Sequence, residues 1–244
     1  MIAYHHSERP FFLSGAELDR RLEEGWFRMH CGIFTTSHLF SQQEIFRVHW
    51  LRYDLSQLSD RASHRRLRRL NARFSVTLED FSTVCADHEE LYSRYRTFIE
   101  FEGADSVTHA LFGDEPDGLN IYRTKCISVF DGKRLIAGGY FDVGETAGAS
   151  ILHFFDPGYS RTSLGRYMML LTVDYLRDNG FSWYYPGYVL AGKAKMNYKL
   201  FLGRETATYF DPATGMWLEF DDKILQYEPL TEADKFQIVL AFVE

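Results

Sequence analysis

The sequence predicts an α/β (α+β) fold: a mixed, mostly antiparallel sheet flanked by helices, with an N-terminal α/β extension. Three observations predict it. Asp131-Gly132 tolerates φ > 0 and separates two strand-like runs, Ile121 to Phe130 and Leu135 to Val143, which marks a hairpin. Next, Ile151 to Phe155 is β-branched and aromatic, and Asp156-Pro157-Gly158 stops it. Leu164, Tyr167, Met168, Leu171 and Tyr175 then share a helical face before a second strand, Phe181 to Tyr185. From Phe74 onward the elements read β-α-α-β-β-β-α-β-α-β-β.

Taken in order, Ser14-Gly-Ala-Glu17 is a capping box for a helix that carries Leu18 and Leu22 on one face and ends at Gly25. Trp26 to Arg28 begins an extended stretch. Gly32 to Thr36 and Ile45 to Tyr53 read as strands, expected to form a hairpin across Ser41-Gln42-Gln43-Glu44. The second alternates an apolar face with a partly cationic one. Residues 61–73 hold six arginines and no acid. Phe74 to Leu78 is a strand. Asp87 to Phe101 is a helix with Leu91, Tyr95 and Phe98 in register, and a short helical piece follows at Asp105 to Phe112. Ser163 is the expected cap of the helix that Asn179-Gly180 ends. The strand after it is expected to break at Pro186-Gly187. A short helix follows at Lys193 to Phe201, then strands near Glu205 to Phe210 and Met216 to Phe220. Thr231-Glu-Ala-Asp234 caps a closing helix whose Phe236, Val239, Leu240 and Val243 form an apolar face. The best seam is near residue 73, giving an N-terminal region 1–73, a main domain 74–222 and a C-terminal helix 223–244.

Composition narrows the function. A chain of 244 residues with 45% hydrophobic and 25% charged residues buries an ordinary globular core. A net charge of −7 excludes a general polyanion binder, so any nucleic-acid site is a local patch. Cys31, Cys85 and Cys126 lie far apart, with no Cys-x-x-Cys and no histidine at ligand spacing. That points to a reducing compartment and away from a metal site. No apolar run has membrane-spanning length and no signal-peptide pattern opens the chain, so a cytoplasmic protein is expected. The aromatic share is high, 16%. Most rings should fill the core, and some tyrosines can line a groove.

The chemistry gathers between Ser150 and Lys199. A strand, a loop, a helix start and a splayed second strand make an acyl-transfer cleft, and the element order matches the acyltransferase fold called GNAT. Acyl transfer to an amine needs an orienting edge, oxyanion donors and a proton acceptor, but no covalent intermediate. The phosphate-cradling loop of that fold reads Gln/Arg-x-x-Gly-x-Gly/Ala. Here it is Arg161-Thr-Ser-Leu-Gly165-Arg166-Tyr167, with one glycine of two. Asp156 and His153 end the central strand within reach of the cleft. His153 is as readily a packed core residue, and Asp156 a turn former. Lys193, Lys195 and Lys199, with Asn197 and Tyr198, put cations beside hydrogen-bonding groups, either as a site or as a solvated face. The arginines of 61–73 suit phosphate, because each guanidinium donates two parallel hydrogen bonds, or they pair with carboxylates elsewhere.

These residues resemble a family. SLGRYMML (163–170) and WYYPGYVLAGKAKMNYK (183–199) resemble the C-terminal motif of aminoacyl-tRNA–protein transferases, the arginyl and bacterial aspartate/glutamate leucyl enzymes of the N-degron pathway. SHRRLRRLNARFSV (63–76) is similar to the family's Ser-x-x-Gln-Arg-Arg segment, with His64 in place of Gln. EELYSRYRTFI (89–99) is similar to its next helix, and LEEGWFRMH (22–30) to its N-terminal Gly-Phe/Trp-Arg-Arg motif. The likeness spans roughly residues 18 to 220.

The resemblance implies a GNAT-like domain that moves an amino acid from charged tRNA to the α-amine of a protein N-terminus, with no coenzyme A and no other cofactor. It implies that Arg65, Arg66, Arg68 and Arg69 hold or shape the acceptor-end site, and Ser163, Gly165 and Tyr167 of the loop are expected in the substrate/tRNA-binding set. It also implies that Tyr184, Tyr188, Lys195, Asn197, Tyr198 and Lys199 border the cleft. Asp156, Tyr184 and Tyr198 are the catalytic candidates, Lys193 joins the binding set, and the general base is open. A cationic cleft suits an acidic N-terminal residue on the acceptor.

Two features depart from the family. Only Cys31 stands where a Pro-x-Cys-x-x-Cys cluster is usual, so metal or cluster regulation is expected to be absent. Pro186-Gly187-Tyr188 replaces Leu-Gly-Tyr. The rivals are an acyl-coenzyme A enzyme acting on a small amine and a non-catalytic relative that binds tRNA or protein termini.

Overall fold

A computed structural model describes residues 3–41, 44–99, 103–115 and 119–243. The N-terminal part contains β1 (His5–Glu8), α1 (Gly15–Glu23), β2 (Phe27–Met29), β3 (Gly32–Thr36), β4 (His38–Ser41), β5 (Glu44–Asp54) and α2 (Ala62–Asn71). Then come β6 (Ser75–Asp80), α3 (Ala86–Phe98), α4 (Val107–Phe112), β7 (Thr124–Asp131), β8 (Arg134–Val143) and β9 (Ala147–Phe155). Helix α5 (Leu164–Asp178), β10 (Trp183–Leu190), β11 (Ala207–Asp211), β12 (Met216–Glu219) and α6 (Glu232–Ala241) complete the order. A 3₁₀ segment, Ala194–Leu202, follows β10.

The expected mixed, mostly antiparallel sheet with flanking helices is what forms. Its strands run β12-β11-β5-β10-β9-β8-β7-β6, with β4 also paired to β5. Among the described residues β9 and β10 form its one parallel pair, joined through α5. A separate three-stranded sheet, β1-β3-β2, packs against the main one through Phe27, whose ring stacks on Trp50 at 3.9 Å. Strand β5 lies between β10 and β11, so the main sheet is continuous across the seam at residue 73. No described helix is long and apolar enough to cross a membrane.

Alternation along β7 sends its side chains to two helical layers. Ile127 and Val129 join the cluster that holds Leu164, Met168 and Val173 of α5. Cys126 and Phe130 face the cluster of Leu91 and Tyr92 on α3. Met168 is completely buried, and truncating it to alanine should cost about 2–5 kcal/mol.

Several local expectations are corrected. The hairpin into β5 starts from β4, not β3; β3 is taken by β1 and β2, and Gln42 and Gln43 lie outside the described residues. Ser14 caps α1 by accepting from the Glu17 amide, but the Glu17 carboxylate is drawn to Arg20 and Arg21 instead of closing the box. Ser163 makes no side-chain cap, because its backbone is left-handed at φ 52°. The turn after β7 is centred on Gly132 and Lys133, since Asp131 still pairs with Arg134. Phe98 is exposed, and Tyr92 takes the buried place on α3. On α6 the capping box forms, but Phe236, Val239, Leu240 and Val243 face outward, while Ile238 is buried and Phe242 stacks on His5.

Candidate functional site

The cleft is the gap where β9 and β10 part. They pair only at Trp183–Ala147, Tyr184–Gly148 and Tyr185–Ala149. Beyond that point β9 follows β8 to Phe155, while β10 stays on β5 to Leu190. Pro186 has no N–H to donate and Gly187 adopts φ 94°, so the strand shifts register there and continues instead of ending. The expected break at Pro186-Gly187 is thus a bulge that opens a wedge.

The 3₁₀ segment Ala194–Leu202 brings its side chains to this wedge. The Tyr53 hydroxyl fixes it by donating to the Lys199 carbonyl at 2.9 Å. The Lys199 ammonium turns inward, donates to the Tyr188 carbonyl at 2.7 Å and lies 4.7 Å from the centroid of the Tyr188 ring. Among the described residues no carboxylate forms an ion pair with it. Burial lowers its pKa to about 8. His153 is held near 4, first by burial and then by the charge of Lys199. The Nε2 of His153 and the Oδ1 of Asn197 are buried without hydrogen-bond partners. Burial raises the phenols of Tyr184, Tyr188 and Tyr198, although 37% of Tyr198 is exposed. Tyr184 is fully buried and its hydroxyl is 2.8 Å from Ser150 Oγ, which makes it a floor under the wedge.

The loop before α5 forms the adjoining wall. Left-handed Ser163 followed by helical Leu164 turns successive amides toward one side, a geometry that suits an anion. A side-chain carbon at Gly165 would meet nothing nearer than the Phe155 ring at 3.5 Å, so the loop is open there. Tyr167 points into the core instead, and burial raises its phenol. Exposed Arg166 lies 5.4 Å from the centroid of the Phe201 ring.

Helix α2 lies alongside, tied to the 3₁₀ segment by His64 Nε2 at 3.2 Å from the Phe201 carbonyl. Its arginines divide. Arg68 grips Asp174 and Asp60, and Arg65 bonds the Asp60 carbonyl. Arg66 and Arg69 are exposed, with no partner among the described residues.

The wedge therefore gathers Tyr184, Tyr188, Tyr198 and Lys199, with Asn197 preceding Tyr198 in the same 3₁₀ segment. It does not gather Asp156, whose Oδ1 accepts from the Gly158 amide at 2.9 Å and whose Oδ2 accepts from Arg134 at 2.5 Å. One oxygen makes the turn and the other pairs with Arg134 of β8. Lys193 lies on another wall, 3.8 Å from Glu44 and over the Phe46 ring, and Lys195 is exposed. Sequence reasoning missed Ser150 and Tyr53. Both are placed by strand pairing, and nothing in their local pattern marks them out. Among the described residues no group of three or more His, Cys, Asp or Glu could hold a metal ion.

Residues 87–206 match the family described as arginine-tRNA-protein transferase, C terminus. The chain is similar to the aspartate/glutamate leucyltransferase of Acinetobacter baumannii, 34% identical over 115 residues that cover 46% of this chain and 41% of that protein. It therefore spans about two-fifths of that relative's length. The Aeromonas hydrophila protein of the same name is 25% identical over 207 residues, covering 84% of this chain and 79% of that one. Among solved structures, the C-terminal domain of a putative lysylphosphatidylglycerol synthetase from Agrobacterium fabrum has a TM-score of 0.45 at 13% identity, over 66% of this chain and 53% of that one.

Proposed function

We propose that this chain, a member of the aminoacyl-tRNA–protein transferase family through residues 87–206, moves an amino acid from charged tRNA onto the α-amine of a protein N-terminus. One observation carries the reading: the matched segment contains α3, α5, both diverging strands and the 3₁₀ segment, and so encloses the whole wedge.

The reaction needs little beyond placement. The acceptor nitrogen attacks the ester carbonyl, the bond to the terminal ribose oxygen breaks, and that oxygen leaves with a proton. Arg66 and Arg69 on α2, with Arg166 and the amides after Ser163, would hold phosphates of the tRNA acceptor end. Tyr188 and exposed Tyr198 would border the terminal nucleoside and the acceptor. Tyr184 would position them through Ser150, and Asn197 Oδ1 offers an acceptor for an N–H. Exposed Lys195 precedes the wedge and suits an acceptor that begins with Asp or Glu, the N-degron type of substrate, in the cytoplasm where charged tRNA is found.

The test is a panel of charged tRNAs against peptides differing in their first residue. Transfer to peptides with acidic first residues is expected. No transfer from any tRNA to any peptide would sink the reading. The anion-binding geometry at Ser163 favours a second reading, an acyl-coenzyme A donor. Thermal stabilisation by coenzyme A at millimolar concentration, with none from tRNA, would select it.

A further inference from the structure

We infer that Lys199 is the proton acceptor of the transfer step, an assignment that rests on the reaction proposed above. Its neutral amine takes a proton from the incoming α-ammonium. The freed nitrogen lone pair then forms the new bond to the ester carbonyl carbon. As the carbon–oxygen bond to ribose breaks, the protonated lysine returns the proton to the departing oxygen. The second proton lost from the nitrogen passes to solvent, and no other reactant is needed.

The geometry supports this in three ways. First, a side-chain carbon built on Gly187 would lie 3.2 Å from Lys199 Nζ and 3.9 Å from its Cε, and, its chain neighbours apart, it meets nothing else within 4 Å among the described residues. The position over Gly187 therefore lies at hydrogen-bonding range of Nζ. Second, among the described residues Nζ donates one hydrogen bond, to the Tyr188 carbonyl, which leaves further N–H positions for a substrate. Third, burial in this setting opposes the charge, and the Tyr188 carbonyl and ring are the groups shown to favour the ammonium. The groups around it are His153 from β9, the Tyr188 ring from β10, Tyr53 from β5 on the Lys199 carbonyl, and Tyr198 beside it with Tyr95 of α3 behind. Among the described residues none of these neighbours is a carboxylate.

A lysine that titrates near 8 matches an N-terminal ammonium, whose ordinary pKa is about 7.7–8.0, so the proton passes almost without cost. His153 is the rival base. With its pKa near 4 it is a poor acceptor at neutral pH, and its free nitrogen is enclosed.

The test combines Lys199→Arg with a direct titration. Arginine keeps the positive charge but does not release its proton. The variant should lose about 10²- to 10⁴-fold in kcat/KM for the acceptor peptide, with tRNA affinity within about twofold of wild type. Carbon-13 NMR of ε-labelled lysine, assigned with Lys199→Arg, should show one lysine titrating near 8. An active wild type with an unimpaired variant, or a Lys199 midpoint at 10 or above, would overturn the role alone. A wild type inactive with every charged tRNA overturns the transfer reading and takes the role with it.

Discussion

Arg68 holds Asp174 by two hydrogen bonds, Nε to Oδ2 at 3.0 Å and Nη2 to Oδ1 at 2.7 Å, and so fastens α2 to α5. Arg68 is therefore committed to structure, whereas Arg66 and Arg69 point to solvent. The two classes should separate in solution. Arg68→Ala should cost about 1–2 kcal/mol in urea unfolding, since it removes a partly shielded bidentate pair. The double variant Arg66→Ala, Arg69→Ala should stay within about 0.5 kcal/mol of wild type. It should instead weaken tRNA binding and lower the slope of log K against log salt by between one and two. An unchanged slope would remove both residues from the tRNA surface.

That division shows what the sequence could disclose. The sheet, α5 and the basic-aromatic segment were legible because hydrophobic period and turn residues are local signals. Which arginine meets a carboxylate depends on Asp174 arriving from another helix, and no local pattern carries it. The same holds for Lys199, whose burial follows from two strands parting at Pro186. Asp156 is ambiguous for a related reason: its place before Pro157 fits both a turn and a cleft, and its pairing with Arg134 of β8 shows in no local pattern.

Arg28, read as part of an N-terminal motif, is a pin in the interior. Its guanidinium meets Asp142 at 3.1 Å and the Leu111 carbonyl at 2.8 Å, and only 5% and 1% of the two charged side chains are exposed. Arg28→Met leaves the Asp142 carboxylate enclosed without its cation. Equilibrium unfolding should show a loss of about 3–5 kcal/mol. Adding Asp142→Leu to Arg28→Met should recover part of it, because no lone charge remains; further loss in the double variant would contradict this account.

His38, His49 and His88 are all buried, and burial lowers each to a pKa of about 4. The unfolded chain binds these protons near pH 6.5, the folded chain only near 4. Acid therefore favours unfolding: the stability from neutral histidines is complete above about pH 6.5 and is lost as pH falls toward 4. Calorimetry should find Tm steady from pH 8 to 7 and falling by several degrees by pH 5. The lowered carboxylates Glu17, Asp60 and Asp234 titrate below that window, so they do not account for the fall. A flat Tm between pH 7 and 5 would mean that these imidazoles are not shielded as the fold has them.

Gly187 and Gly132 allow backbone strain to be separated from obstruction of the cleft. Both have left-handed φ, 94° and 61°, so alanine at either should cost about 1–2 kcal/mol from strain alone. A methyl at Gly132 meets nothing within 4 Å, whereas one at Gly187 presses on the Lys199 amine at 3.2 Å. Gly132→Ala should therefore lower Tm and leave aminoacyl transfer unchanged. Gly187→Ala should lower Tm by a comparable amount and also reduce transfer more than tenfold, because the methyl fills the space the acceptor nitrogen would occupy. Equal activity in the two variants would show that the opening over Gly187 is not the route of the acceptor.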